Sequence, residues 1–169
     1  MIRPTGKPGE YLLHLTSGEW EELQMVLNSE WATPPDYHRL SRSPAAETDP
    51  ALREAEALRR ELEAQHRQEL QSWTARFLLR LEPPEQGQSA LGRLTAEDLD
   101  HLLQVLNDTR VGAWMALGCP DPLPDWDDPE PGPNPACRLV MDLAGYFESR
   151  LIEALNPAGE SDDSAAAPE

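Results

Sequence analysis

The chain has 169 residues, enough for one ordinary hydrophobic core. Its 31 acidic and 14 basic residues give a net charge of −17, which repels phosphate backbones and anionic membranes over most of the surface and argues against direct nucleic-acid binding. No apolar run approaches the roughly 20 residues of a membrane helix, and the opening "MIRPTGKPGEYLLHL" lacks the apolar centre of a secretory signal, so a soluble cytoplasmic protein is expected.

"IRP" and "EYLLHL" flank the turn-rich "TGKPG", the pattern of a small β-hairpin or of a single strand ending at Leu15. Thr16 stands three residues before Glu19, the capping-box spacing in which each side chain satisfies an exposed backbone amide. A first helix is therefore expected from about Ser17 to Glu30, with Trp20, Leu23, Val26 and Leu27 on one face. Residues 31–50 hold four prolines and no periodic apolar face, and read as a proline-rich loop. Arg39, Arg42 and His38 in that loop form too small a basic patch for a nucleic-acid footprint.

From Asp49-Pro50 the composition changes to strong helix formers free of Gly and Pro. A helix running to Leu81 would be about 45 Å long. Its stripe is Ala55, Leu58, Leu62, Leu70, Trp73, Phe77 and Leu81, densest in the C-terminal half. The N-terminal half is mostly charge, with opposite signs three or four residues apart, and should project into solvent or pair with another chain.

Pro83-Pro84 ends that helix, and a loop leads to "RLTAEDLDHLL". There Thr95 precedes Asp98 by three residues, a second N-terminal signal. Leu99, Leu102, Leu103, Leu106, Ala113, Trp114 and Leu117 then describe a helix ending at Gly118. "CPDPLPDWDDPEPGPNP" packs seven prolines and five acids into 17 residues, so 119–134 reads as an irregular proline-rich loop. Asn134 and Pro135 suit the cap and first position of a last helix, whose inward face is Val140, Leu143, Phe147, Leu151 and Leu155. After Asn156, residues 157–169 are acidic and small, with too little apolar surface to fold. The expected architecture is mainly α: one helical domain over 1–156, a four-helix bundle-like fold with a small N-terminal β-hairpin or strand, followed by a disordered acidic tail.

Complete catalytic constellations are absent from the sequence. The glycines of "GQSALG" bracket four residues where a hydrolase nucleophile elbow needs three with serine central. Histidines 14, 38, 66 and 101 have no helical zinc spacing, and Asp98 with His101 reads as an ordinary surface pair. Asp121, Asp125, Asp127, Asp128 and Glu130 invite a calcium reading, but Leu123 and Pro129 stand where side-chain ligands would be required. No metal and no cofactor is expected.

Cys119 follows a helix C-terminus, whose dipole disfavours a thiolate, whereas Cys137 sits in a first helical turn beside Arg138, where both influences favour one. Cys137 is thus the better redox candidate, and a disulfide between the two would close the proline-rich loop. Buried structural thiols are the competing reading.

Four consecutive polar residues interrupt the third long helix: Asn107, Asp108, Thr109 and Arg110. On a helical wheel Arg110 falls within the stripe of Leu102, Leu103, Leu106, Ala113 and Leu117, while Asn107 flanks it and Asp108 points nearly opposite. Arg110 should either pair with an acid from another helix and fix how the helices meet, or pack its stem and extend its head into water. Asn107, Asp108, Arg110 and Trp114 are the candidate binding residues.

"LTAEDLDHLLQVLNDTRVGAWMALG" followed by "LVMDLAGYFESRLIEAL" resembles the family catalogued as domain of unknown function two-zero-one-seven, best known from actinobacteria. The resemblance rests on Leu106, Asn107, Asp108, Arg110, Leu117 and Gly118, then Tyr146 and Phe147, and on the opening "EYLLHLTSGEWEELQMVL". It covers about two thirds of the chain and implies an acidic helical protein with a strand-then-helix start. Some members resemble oxidative-stress transcription regulators that act by contacting a sigma factor, with a paired-cysteine switch near the N-terminus. This chain has no cysteine before position 119, so that switch does not carry over.

The reading these features support is a non-enzymatic cytoplasmic protein-interaction module, a transcription or stress-response regulator acting through a protein partner with a basic surface. Self-association as a homodimer through the charged half of the long helix is also expected. The alternatives are a thiol-based redox sensor using Cys119 and Cys137, and an enzyme with a site between the second and third helices around Asn107 and Arg110.

Overall fold

The computed structural model describes residues 2–29, 49–81, 88–121, 123 and 134–156. Residues 31–48 of the loop expected at 31–50, the Pro83-Pro84 stop, most of the stretch 119–134, the acids proposed for calcium beyond Asp121, and the tail 157–169 lie outside these residues, while Asp49 and Pro50 belong to the start of a helix.

Strands β1 (Ile2–Pro4), β2 (Glu10–Leu15) and β3 (Ala90–Thr95) form an antiparallel sheet in the order β1-β2-β3. Gly6 and Gly9 turn the β1-β2 hairpin with φ of 86° and 74°, values at which a Cβ would be strained. Leu13 stands opposite Ile2 on one side and Gly92 on the other. Leu13, Leu15, Ala90 and Leu94 thereby face the core, while His14, Leu91 and Arg93 face out.

β3 corrects the loop expected before the third long helix. Its six residues do alternate, but Gly92 interrupts the pattern and the strand runs straight into a helix cap, so its period is short. Pairing along the whole of β2 supplies the backbone partners that its own composition does not announce.

Helix α1 (Ser17–Leu27) carries the expected capping box, with the Thr16 hydroxyl accepting from Glu19 N–H and the Glu19 carboxylate accepting from Thr16 N–H. It stops short of the expected Glu30. Asn28 Nδ2 donates to Gln24 O at 2.9 Å and Ser29 Oγ to Val26 O at 2.6 Å, so side chains satisfy the last carbonyls and end the helix. Helix α2 (Pro50–Arg80) begins at Asp49, which accepts from Ala51 N–H. Helix α3 (Ala96–Ala116) begins at a second capping box, Thr95 with Asp98, and α4 (Pro135–Leu155) begins at Asn134 with Pro135 in first place.

One apolar cluster draws side chains from all three strands and all four helices, including Leu15, Leu23, Phe77, Leu94, Leu102, Leu106 and Phe147. Along α2, Leu70, Trp73 and Phe77 are buried, whereas Leu58 and Leu62 are each 57% exposed. The stripe therefore reaches the core only through its C-terminal half. Among the described residues, no helix is long and apolar enough to cross a membrane.

Candidate functional site

α3 separates two hollows. The larger, about 740 Å³, lies between α3 and α4 and is lined by Val111, Trp114, Met141 and Tyr146, with Arg110 and Arg150 at its rims. The smaller, about 230 Å³, lies where the end of α1 meets α2 and α3, and holds Arg67, Thr74, Asp108 and Thr109.

The candidate residues divide between them. Arg110 and Trp114 line the α3/α4 groove, Asp108 lines the smaller hollow, and Asn107 lines neither but accepts from Arg110 at 3.0 Å. Asn107 and Arg110 thus do not share a pocket between α2 and α3. Arg110 reaches α4 instead, where its Nε lies 3.0 Å from Glu148 Oε2. That nitrogen is buried and makes no aligned hydrogen bond, so the contact is an ion pair by distance. The guanidinium side chain stays 44% exposed. Both readings of Arg110 describe part of what it does: an acid from α4 meets it, and its head reaches water.

Thr109, not Arg110, is the polar residue that faces the interior, at 6% exposure. Trp114 is half-buried and donates from its indole to Pro120 O at 3.2 Å, which fixes one wall of the groove. Opposite it, Tyr146 is 43% exposed and packs edge-on against the buried Phe147, with ring centroids 5.3 Å apart. Other charges along the groove are already engaged: Asp142 with Arg138 at 2.9 Å and Arg150 with Glu153 at 2.8 Å. The groove therefore presents two aromatic faces between compensated charges.

No family model, curated protein or solved structure matches this chain.

Cys119 and Cys137 are both free thiols. Cys119 is exposed and lies in the left-handed region at φ 56°, just after Gly118. Cys137 is fully buried, and burial pushes its thiol up from the ordinary value. This corrects the sequence-based preference for Cys137 as the thiolate: desolvation outweighs the helix N-terminus and Arg138, whose guanidinium pairs with Asp142.

Asp98 corrects a second expectation. It is buried at 6% rather than sitting on the surface with His101. Its carboxylate accepts from Trp73 Nε1 at 3.1 Å, Arg80 at 2.6 Å, Thr95 N–H at 3.0 Å and Thr95 Oγ1 at 3.1 Å. Burial alone raises this carboxyl, but the hydrogen bonds from Arg80, Thr95 and Trp73 overcome it and hold the pKa at about 2. His101 instead lies beside Trp73, ring centroids 5.4 Å apart. These contacts tie α2 to the start of α3 and are structural.

Tyr146 and Glu148 were not among the residues singled out for binding. The signal for them lay in α4: stepping from the inward Phe147 by one residue in each direction gives positions at the edge of the buried stripe, where a side chain meets both a neighbour and solvent.

Proposed function

We propose that this chain is a protein-interaction module whose α3/α4 groove receives apolar side chains from a partner with a basic surface, in the manner of a regulator acting through protein contact. The observation that carries the reading is the pairing of Trp114 and Tyr146 across an open groove whose arginines are already compensated. Half-exposed aromatic side chains with a polar edge are what recurs at the centres of protein interfaces. A net charge of −17 selects a cationic partner and speeds its approach. Cytoplasmic placement belongs to the same reading.

The test is capture on the immobilised chain, comparing wild type with Trp114→Ala/Tyr146→Ala. A partner with a basic surface should bind wild type, be lost with the double variant, and be released near 1 M salt, where the screening length falls to about 3 Å. Circular dichroism of the variant must match wild type. If every captured protein binds the double variant equally well, the groove is not the docking surface.

A further inference from the structure

We propose that the N-terminal half of α2 pairs with its counterpart in a second copy of this chain as a short parallel coiled coil, a contact separate from the α3/α4 groove. Within α2, Arg recurs at positions 53, 60 and 67, Glu at 54 and 61 and again at 56 and 63, and Ala at 57 and 64. That seven-residue spacing is the coiled-coil period. It leaves Ala51, Ala55, Leu58 and Leu62 on one seam at steps of four, three and four. Among the described residues the seam is open, with Leu58 and Leu62 each 57% exposed and the neighbouring Leu52 43% exposed. The coil ends near His66, whose Nε2 already meets Gln104 Oε1 of α3 at 2.9 Å.

Charge selects a second copy as the occupant. Residues 50–65 carry three arginines and four glutamates, close to balance within a chain of net charge −17, so two copies can approach along this segment with little repulsion. The ion pair of Arg59 with Glu63 starts beside the seam and that of Arg60 with Glu56 lies on the opposite face, and both run along the helix and support it as a preformed rod. Orientation follows from the residues flanking the seam. In a parallel pair Glu54 of each copy lies against Arg59 of the other; in an antiparallel pair Arg59 would meet Arg59, and Glu61 would meet Glu61.

Sedimentation equilibrium over a concentration series tests this on the full chain. Wild type should move from monomer to dimer, and Leu62→Glu should stay monomeric with unchanged helical content. Glu54→Arg and Arg59→Glu should each weaken dimerisation by about tenfold, as two attractive flanking pairs become repulsive. Mixing those two variants should restore it, because the mixed pair regains both attractions. A wild type that stays monomeric at the highest concentration, a Leu62→Glu variant that still dimerises, or a mixture no tighter than its components would each overturn the proposal.

Discussion

Trp73 donates its indole N–H to Asp98 at 3.1 Å inside the protein, joining α2 to the first turn of α3. The same carboxylate closes the capping box with Thr95 and receives Arg80, so one buried anion of α3 satisfies donors from α2 and from the strand β3 between the two helices. A buried charge persists only when it is paired and hydrogen-bonded, and this one is both.

Stability should depend on acid through this group. Its folded pKa of about 2 lies below the ordinary 3.8, so its contribution is complete above about pH 4 and is lost as pH falls toward 2. The shift corresponds to about 2 kcal/mol. Urea melts of wild type and Asp98→Asn should differ most at neutral pH and converge only as pH falls through about 2; a difference that stays constant with pH contradicts this.

Two glycines predict opposite outcomes. A Cβ at Gly92 would overlap Leu81 Cδ2, a side chain that is itself 4% exposed, so Gly92→Ala should destabilise by about 1–3 kcal/mol through overpacking. Leu81→Ala, costly alone, should cost less in that background. In α4, a Cβ at Gly145 would lie 3.5 Å from Arg110 Cδ, an ordinary contact, and Gly145→Ala should stabilise by about 0.5–1 kcal/mol through lower chain entropy. Thermal melts of the four variants separate the cases.

The two capping threonines should differ in weight. Thr16→Ala removes a cap on an exposed turn and should cost about 1 kcal/mol. Thr95→Ala also withdraws a donor from buried Asp98 and should cost about 2 kcal/mol. Equal losses in denaturant melts would show that Thr95 acts only as a cap.

The thiols should react in two classes. Cys119 should react with an alkylating reagent in the native protein, and Cys137 only on unfolding, because its sulfur is inaccessible and burial disfavours the thiolate. Mass spectrometry of natively alkylated peptides should find one labelled site, at Cys119.

Most of the helical framework was legible in the sequence because its signals are local. Thr16 with Glu19, Thr95 with Asp98, Asp49-Pro50 and Asn134-Pro135 each fix a helix start within a few residues of chain, and each lies where the structure begins a helix. β3 was not legible, since what makes "ALGRLT" a strand is a partner about 80 residues earlier in β2. Asp98 was misread for a related reason: helical spacing places it near His101, but its burial depends on Trp73 and Arg80 arriving from α2. At Arg110 the wheel indicated a core-side residue and left its partner open, and only the approach of α4 supplies Glu148. Cys137 shows the same limit, because a helix N-terminus is visible in sequence and desolvation is not.

Photo-crosslinking from the groove bears most directly on the docking surface. With a photoreactive phenylalanine in place of Tyr146, irradiation in cells should yield a discrete adduct mapping to an apolar segment of a partner, next to lysine or arginine, and the adduct should vanish on adding Trp114→Ala. No adduct from position 146, while the same group at the exposed Leu139 of α4 captures one, would contradict docking in this groove.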